Sequence, residues 1–194
     1  MPDPTLPERK ARLRAEALAR RDALDPAWRA DASRRACEHA LALPELDDAD
    51  PVSGFWPIRS EIDIRPVLVA LHARGRRLGL PAVAKPAMVF RRWAPGDPVR
   101  ETGFGLTVPL PDAPLVSPRL LLVPLAAFDR RGGRIGYGRG HYDAAIATLA
   151  AAHPVVAVGV AFSVQEVPEV PLEPHDRLLD LVVTESGLVR PSQS

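Results

Sequence analysis

The stretch RLLLVPLAAFD, residues 119–129, restricts the possible folds more than any other in the chain. It is apolar at almost every position, so it matches neither the two-residue alternation of a half-exposed strand nor the stripe of a surface helix. It suits a strand covered on both faces, which requires neighbouring strands and helices above and below. PVVAVGVAF at 154–162, LLDLVVTE at 178–185 and VSGFWP at 52–57 read the same way. RLGLPAV at 77–83 and AMVFRRW at 87–93 read as further strands, with a turn at APGD.

Helical patterns lie between them. Ala11, Leu13, Ala17 and Leu18 give residues 7–24 an apolar stripe, with arginines expected on the other side. Asp25 caps and Pro26 opens a second helix running to Leu43. DIRPVLVALHARG at 63–75 reads as a helix closed by Gly75, and HYDAAIATLAAA begins another at His141. Strands alternating with helices predict an α/β fold: a single domain over residues 1–194, with a largely parallel central sheet and helices on both faces in a Rossmann-like three-layer arrangement.

A hydrophobic share of 46% suits a folded globular chain, and a net charge of +1 argues against a general nucleic-acid binder. Cys37 is the sole cysteine, so neither an internal disulfide nor a cysteine metal cluster can form. The charged start MPDPTLPERKARLR lacks the apolar core of a signal peptide, and no apolar run is long enough to span a bilayer. The expectation is a soluble, cytoplasmic protein with no membrane partner.

RGGRIGYGRGHYD, residues 131–143, places five glycines within nine positions. Such a cluster costs conformational entropy and needs a reason. Lying after a buried strand and before a helix, it sits where ligands bind in open α/β sheets. Gly136, Gly138 and Gly140 allow amides to face one concavity, and the following helix adds the positive end of its dipole. Arg134 and Arg139 offer guanidinium forks to phosphate oxygens. Asp143 is badly placed against an anion unless a cation such as magnesium lies between. The spacing is neither the Walker form nor the dinucleotide G-x-G-x-x-G, and a plain flexible turn remains the alternative.

Lys10 and Arg14 share one helical face and could grip a triphosphate or form a solvated basic face. Glu61 could accept two N–H donors from a flat heterocycle or cap a helix. Asp176 and Asp180 are either magnesium ligands or turn residues. His141, Tyr142 and Tyr137 could stack on rings or fill the core.

Taken in series, the K-x-x-x-R helix, SEID, FDRRGGRIGYGRGHYD, GVAF and PHDRLLD resemble the 5-formyltetrahydrofolate cyclo-ligase family, from about Lys10 to Thr184. The resemblance implies an enzyme that uses ATP and magnesium to close 5-formyltetrahydrofolate into 5,10-methenyltetrahydrofolate, releasing ADP and phosphate. It places ATP on Lys10 and Arg14 and on a loop comprising Arg134, Gly136, Tyr137, Gly138, Arg139, Gly140, His141 and Tyr142. It places the metal on Asp143 and Asp176, and folate on Trp56, Glu61, Tyr137 and His141. Lys10, Arg134 and Arg139 are expected to neutralise charge during catalysis, and a monomer is expected. His141 stands where the family commonly has tyrosine, which makes that contact sensitive to pH. A sugar-phosphate isomerase or transferase and an arginine-gripped RNA-binding module are the competing readings.

Overall fold

The computed structural model describes residues 3–84 and 87–191. Among the described residues the α-helices are α1 (Leu6–Asp22), α2 (Pro26–Leu41), α3 (Arg65–Ala73) and α4 (His141–Ala152). The first five strands are β1 (Val52–Ser53), β2 (Leu78–Ala84), β3 (Ala87–Arg92), β4 (Val99–Thr102) and β5 (Leu106–Pro109). Then come β6 (Leu115–Val116), β7 (Leu120–Pro124), β8 (Ala127–Phe128) and β9 (Arg134–Ile135). The last three are β10 (Val156–Val160), β11 (Leu181–Thr184) and β12 (Gly187–Val189).

Eight strands form the central sheet in the order β12-β11-β10-β7-β1-β2-β3-β6. The stretch from β11 to β2 is parallel throughout, and β12, β3 and β6 join its edges antiparallel. The expected α/β architecture is therefore present, with antiparallel margins. β4 and β5 form a separate hairpin, as do β8 and β9.

The continuous apolar run explains the layering. Leu120, Leu121, Leu122 and Val123 are all fully buried. Leu120 and Leu122 pack with Ala36 and Ala40 of α2 and Leu68 and Leu71 of α3. Leu121 and Val123 face the other way, onto Ala145, Ile146 and Leu149 of α4. Successive strand residues point to opposite faces, so only an unbroken apolar sequence can serve two helical layers.

The run does not stay in the sheet to residue 129, as its apolarity predicts. β7 ends at Pro124, opposite Val160, and the chain leaves for the β8–β9 hairpin. The carbonyls exposed by that departure are satisfied by one buried side chain: Gln165 Nε2 donates to Leu125 O at 2.8 Å and Ala126 O at 3.0 Å. α1 packs on this hairpin through Ala17, beside Ala127 and Ile135.

The helix ends follow the sequence. Asp25 accepts from Trp28 N at 2.9 Å, and Glu8 Oε2 accepts from Thr5 N at 2.8 Å. Gly75 closes α3 at φ +79°, a conformation that favours glycine. Among the described residues, no helix is long and apolar enough to cross a membrane.

Candidate functional site

From β1 the chain moves outward to β2, then returns to the other side of β1 to continue as β7, β10 and β11. The point of reversal lies between β1 and β7, and a crevice opens beyond the carboxyl ends of such strands. A cavity of about 830 Å³ is found there. Phe55 and Trp56 follow β1, Pro124 ends β7, and Pro81 and Val83 belong to β2; all five line it. The volume falls in the range of small-molecule sites, roughly 300–1,000 Å³.

The structure brings Lys10, Arg14, Trp56, Glu61, Arg134, Asp143, Asp176 and every residue of the loop 136–142 into this one cavity. Asp180 is not among its lining residues. Its Oδ2 accepts from Ala157 N at 2.7 Å, at the start of β10.

The five glycines divide into two groups. Gly132 and Gly133 turn the chain between β8 and β9. The turn is organised by fully buried Asp129, which accepts from the amides of Arg131 and Gly133 (both 2.9 Å) and Val170 (2.8 Å). Desolvation opposes charge on Asp129, but these bonds and Arg131 outweigh it and hold its pKa below the ordinary value. A bound phosphate therefore does not account for these two glycines, contrary to a single explanation for the cluster. Gly136, Gly138 and Gly140 form the cavity loop, with Gly138 at φ +88° and Gly140 at φ +63°. Gly140 leads directly into α4, whose first turn has amides without intrahelical acceptors.

α1 supplies the cations, but not as its apolar stripe predicts. Lys10, Arg14, Ala17 and Arg21 lie within one 60° sector of the helix, and this sector faces inward. Lys10 Nζ bridges Glu173 Oε2 (2.7 Å) and Asp176 Oδ2 (2.5 Å). Desolvation works against its charge, yet the two carboxylates prevail and raise its pKa. Asp176 shows the converse: burial pushes its pKa up, but Lys10 and the Glu173 amide bring it below the ordinary value. Arg14 Nε donates to Gly136 O at 2.7 Å and its guanidinium lies over Gly138. A solvated basic face does not describe Lys10 and Arg14.

Arg134 is almost fully buried and donates to Asp143 Oδ1 at 2.7 Å and to the Arg177 carbonyl. Burial lowers its pKa, against the pull of Asp143 and Asp176. The cation that resolves the placement of Asp143 in this structure is thus Arg134. Asp143 Oδ1 also accepts from Arg177 N at 2.9 Å, while its Oδ2 has no hydrogen bond among the described residues. Glu173, His175 and Asp176 each offer a ligand atom within 4.8 Å of the others. Carboxylate oxygens are hard donors suited to magnesium.

At the other end, the Trp56 ring meets Trp93 edge-on at 5.7 Å, with the Arg65 guanidinium 5.7 Å from its centroid. Glu61 Oε2 accepts from Ile58 N at 2.9 Å, and Oε1 accepts from the Tyr137 hydroxyl. Glu61 does not cap α3: the helix N-cap is Ile64, without a side-chain cap, and Asp63 just before it accepts from Arg65 N at 3.0 Å. Burial raises the Glu61 pKa despite Tyr137, the Ile58 amide, Arg21 and Arg59. The Tyr142 hydroxyl is buried without a hydrogen-bond partner among the described residues, and its residue lines the cavity. Such an orphan calls for a partner, which a ligand in the cavity would supply.

Sequence reasoning missed Arg21, Arg59, Arg100, Glu173 and His175. The last four line the cavity, and Arg21 reaches its wall through Tyr137. Arg59 did carry a local signal, an acid two residues on in a turn, but no spacing rule marks it.

The sequence profile of the 5-formyltetrahydrofolate cyclo-ligase family matches residues 7–185. The 5-formyltetrahydrofolate cyclo-ligase of Haemophilus influenzae is 27% identical, over 91% of this chain and 98% of its own. That of Escherichia coli K12 is 29% identical over 86% of this chain and 95% of its own. The solved structure of Aquifex aeolicus 5,10-methenyltetrahydrofolate synthetase superposes with a TM-score of 0.80 at 28% identity, covering 95% of this chain and 94% of that one.

Proposed function

The chain belongs to the 5-formyltetrahydrofolate cyclo-ligase family, and from that premise we propose that it closes 5-formyltetrahydrofolate to 5,10-methenyltetrahydrofolate, consuming ATP with magnesium and releasing ADP and phosphate. One observation carries the reading: cations, a glycine loop, a helix N-terminus and acids share one cavity with Trp56 and Glu61.

An N-formyl oxygen is a poor leaving group. In the proposed reaction it attacks the terminal phosphorus of ATP and ADP departs. N10 then attacks the activated formyl carbon, the carbon–oxygen bond breaks and phosphate leaves with that oxygen, while N10 loses its proton. No protein nucleophile is needed; positioning and charge neutralisation suffice.

Each group of side chains has a part in this. The amides opening α4, with Gly138 and Gly140, face the phosphates, and Lys10, Arg14 and Arg139 balance their charge. Arg134 fixes Asp143 through its hydrogen bond. Asp143 and Asp176 would hold the magnesium; Glu173, His175 and Asp176 form one donor group, and Asp143 lies outside it, with an Oδ2 that has no hydrogen bond among the described residues. When bound, the metal neutralises phosphate charge. Glu61 accepts from the N–H groups of the pterin, and Trp56, Tyr137 and His141 flank the folate.

Purified protein mixed with 5-formyltetrahydrofolate and magnesium-ATP is expected to generate methenyl absorbance that requires the nucleotide. A folded, active-site-intact preparation giving no nucleotide-dependent absorbance would contradict the proposal.

A further inference from the structure

Arg21 is the fourth member of the inward row on α1 and the most deeply buried of its cations, at 1% exposure. A buried charge is costly unless it is paired and hydrogen-bonded. The only carboxylate in an ion pair with Arg21 among the described residues is Asp22, 3.6 Å from Nε and itself 58% exposed. Its close hydrogen bonds go elsewhere. Nε donates to Ser60 Oγ at 2.9 Å, and Nη1 donates to the Tyr137 hydroxyl at 3.0 Å. Ser60 immediately precedes Glu61 in the chain and donates onward to Asp22. Tyr137 donates onward to Glu61 Oε1.

One guanidinium therefore holds the side chain of the residue before Glu61 and the hydroxyl that bonds the Glu61 carboxylate. The geometry points to Arg21 as a positioning residue for the folate end of the site, fixing Glu61 in place and in its charged form through Ser60 and Tyr137. This inference rests on the reading of Glu61 as the pterin contact.

The Tyr137 hydroxyl accepts from Arg21 and so is oriented to donate to Glu61 Oε1, while Ile58 N donates to Oε2; both oxygens accept, a pattern that favours the carboxylate over the acid. The charged or titratable groups acting on Glu61 are Tyr137, Arg21 and Arg59, with Tyr142 also within electrostatic reach. Arg59 is exposed, whereas Arg21 is dry, so the field of Arg21 is the less screened. On the same row, Lys10 pairs with Glu173 and Asp176 at the other end of the cavity, and Arg14 holds the loop on either side of Tyr137. α1 thus serves both ends, with Arg21 assigned to folate.

The test compares Arg21→Met, Arg21→Lys and Tyr137→Phe with the parent protein. Affinities for 5-formyltetrahydrofolate and magnesium-ADP are measured by tryptophan quenching across pH. Arg21→Met should weaken folate binding by roughly tenfold or more, the scale of a lost charged hydrogen bond, and move its acid limb to higher pH. Magnesium-ADP affinity should stay within about twofold, below the effect of a lost contact. Arg21→Lys keeps the charge, so its limb should stay near that of the parent while folate affinity falls. In the Tyr137→Phe background Arg21→Lys should add less than it does alone. If Arg21→Met does not fold, Arg21→Lys and Tyr137→Phe decide the matter. Folded variants with the parent's folate affinity and acid limb, or with equal losses for both ligands, overturn the inference and leave the reading of the site intact. A parent protein that does not bind 5-formyltetrahydrofolate overturns both.

Discussion

Lys10 meets two demands at once. It neutralises Glu173 and Asp176, and it faces the cavity where a nucleotide is proposed to sit. Lys10→Met leaves two carboxylates without their cation and is expected to cost about 1.5–3 kcal/mol of stability, the range for hydrogen bonds to charged groups. The sign with pH follows from Asp176, whose folded pKa lies below its ordinary 3.8. Its contribution is present above that value and lost as pH falls through the folded pKa. The melting-temperature gap between parent and Lys10→Met should therefore be widest near neutrality and narrow in acid, as thermal scans across pH can measure. Glu61 behaves in the opposite direction: burial lifts its pKa above 4.5. Folate affinity should fall as pH drops through that raised value, and Glu61→Gln should both weaken binding and flatten the limb. Lys10, Arg14 and Glu61 stand out in the sequence because their neighbours form patterns. Arg21 does not. It is one of several arginines on α1, and only tertiary packing separates the dry one from its solvated neighbours Arg12 and Arg20.

Among the elements, β7 and the cavity loop carry the most weight. Leu121 is fully buried between β7 and α4, so Leu121→Ala should cost about 2–5 kcal/mol through lost burial and a residual cavity. Denaturant midpoints would measure it. Gly138→Ala makes a different demand. At φ +88° an added Cβ is strained by roughly 1–2 kcal/mol, and it would stand 3.4 Å from the Arg14 guanidinium. We expect a modest loss of stability but a pronounced rise in KM for magnesium-ATP, because loop and Arg14 shift together; steady-state kinetics would show it. The strands that serve two helical layers were readable because they are unbroken apolar runs. The β4–β5 hairpin, β6 and β12 were not, since they are short, lie outside the parallel core and alternate weakly. ETGFGLTVP, with two glycines, looks like a loop until Val99–Thr102 pairs with Leu106–Pro109. The end of β7 was missed for a related reason: apolarity continues through Leu125–Phe128, while the sheet stops at Pro124.

At the scale of the molecule, function follows from the order in which the strands are laid down. The reversal between β1 and β7 opens the cavity, and both β1 and β7 end at it. The α/β class and the place of the glycine loop could be read from alternation alone. The sharing of one cavity by α1, the turn before α3, the 136–142 loop and residues 173–176 could not, because these segments are distant in sequence. The family resemblance brought them together on paper, and the fold does so in space. A crystal structure with a non-hydrolysable ATP analogue and magnesium tests the central claim most directly. The triphosphate is expected against Gly138, Gly140 and the first turn of α4, with Lys10 and Arg14 beside it and the ion on Asp143 and Asp176. A nucleotide bound at any other place, with this cavity left to solvent, would contradict it.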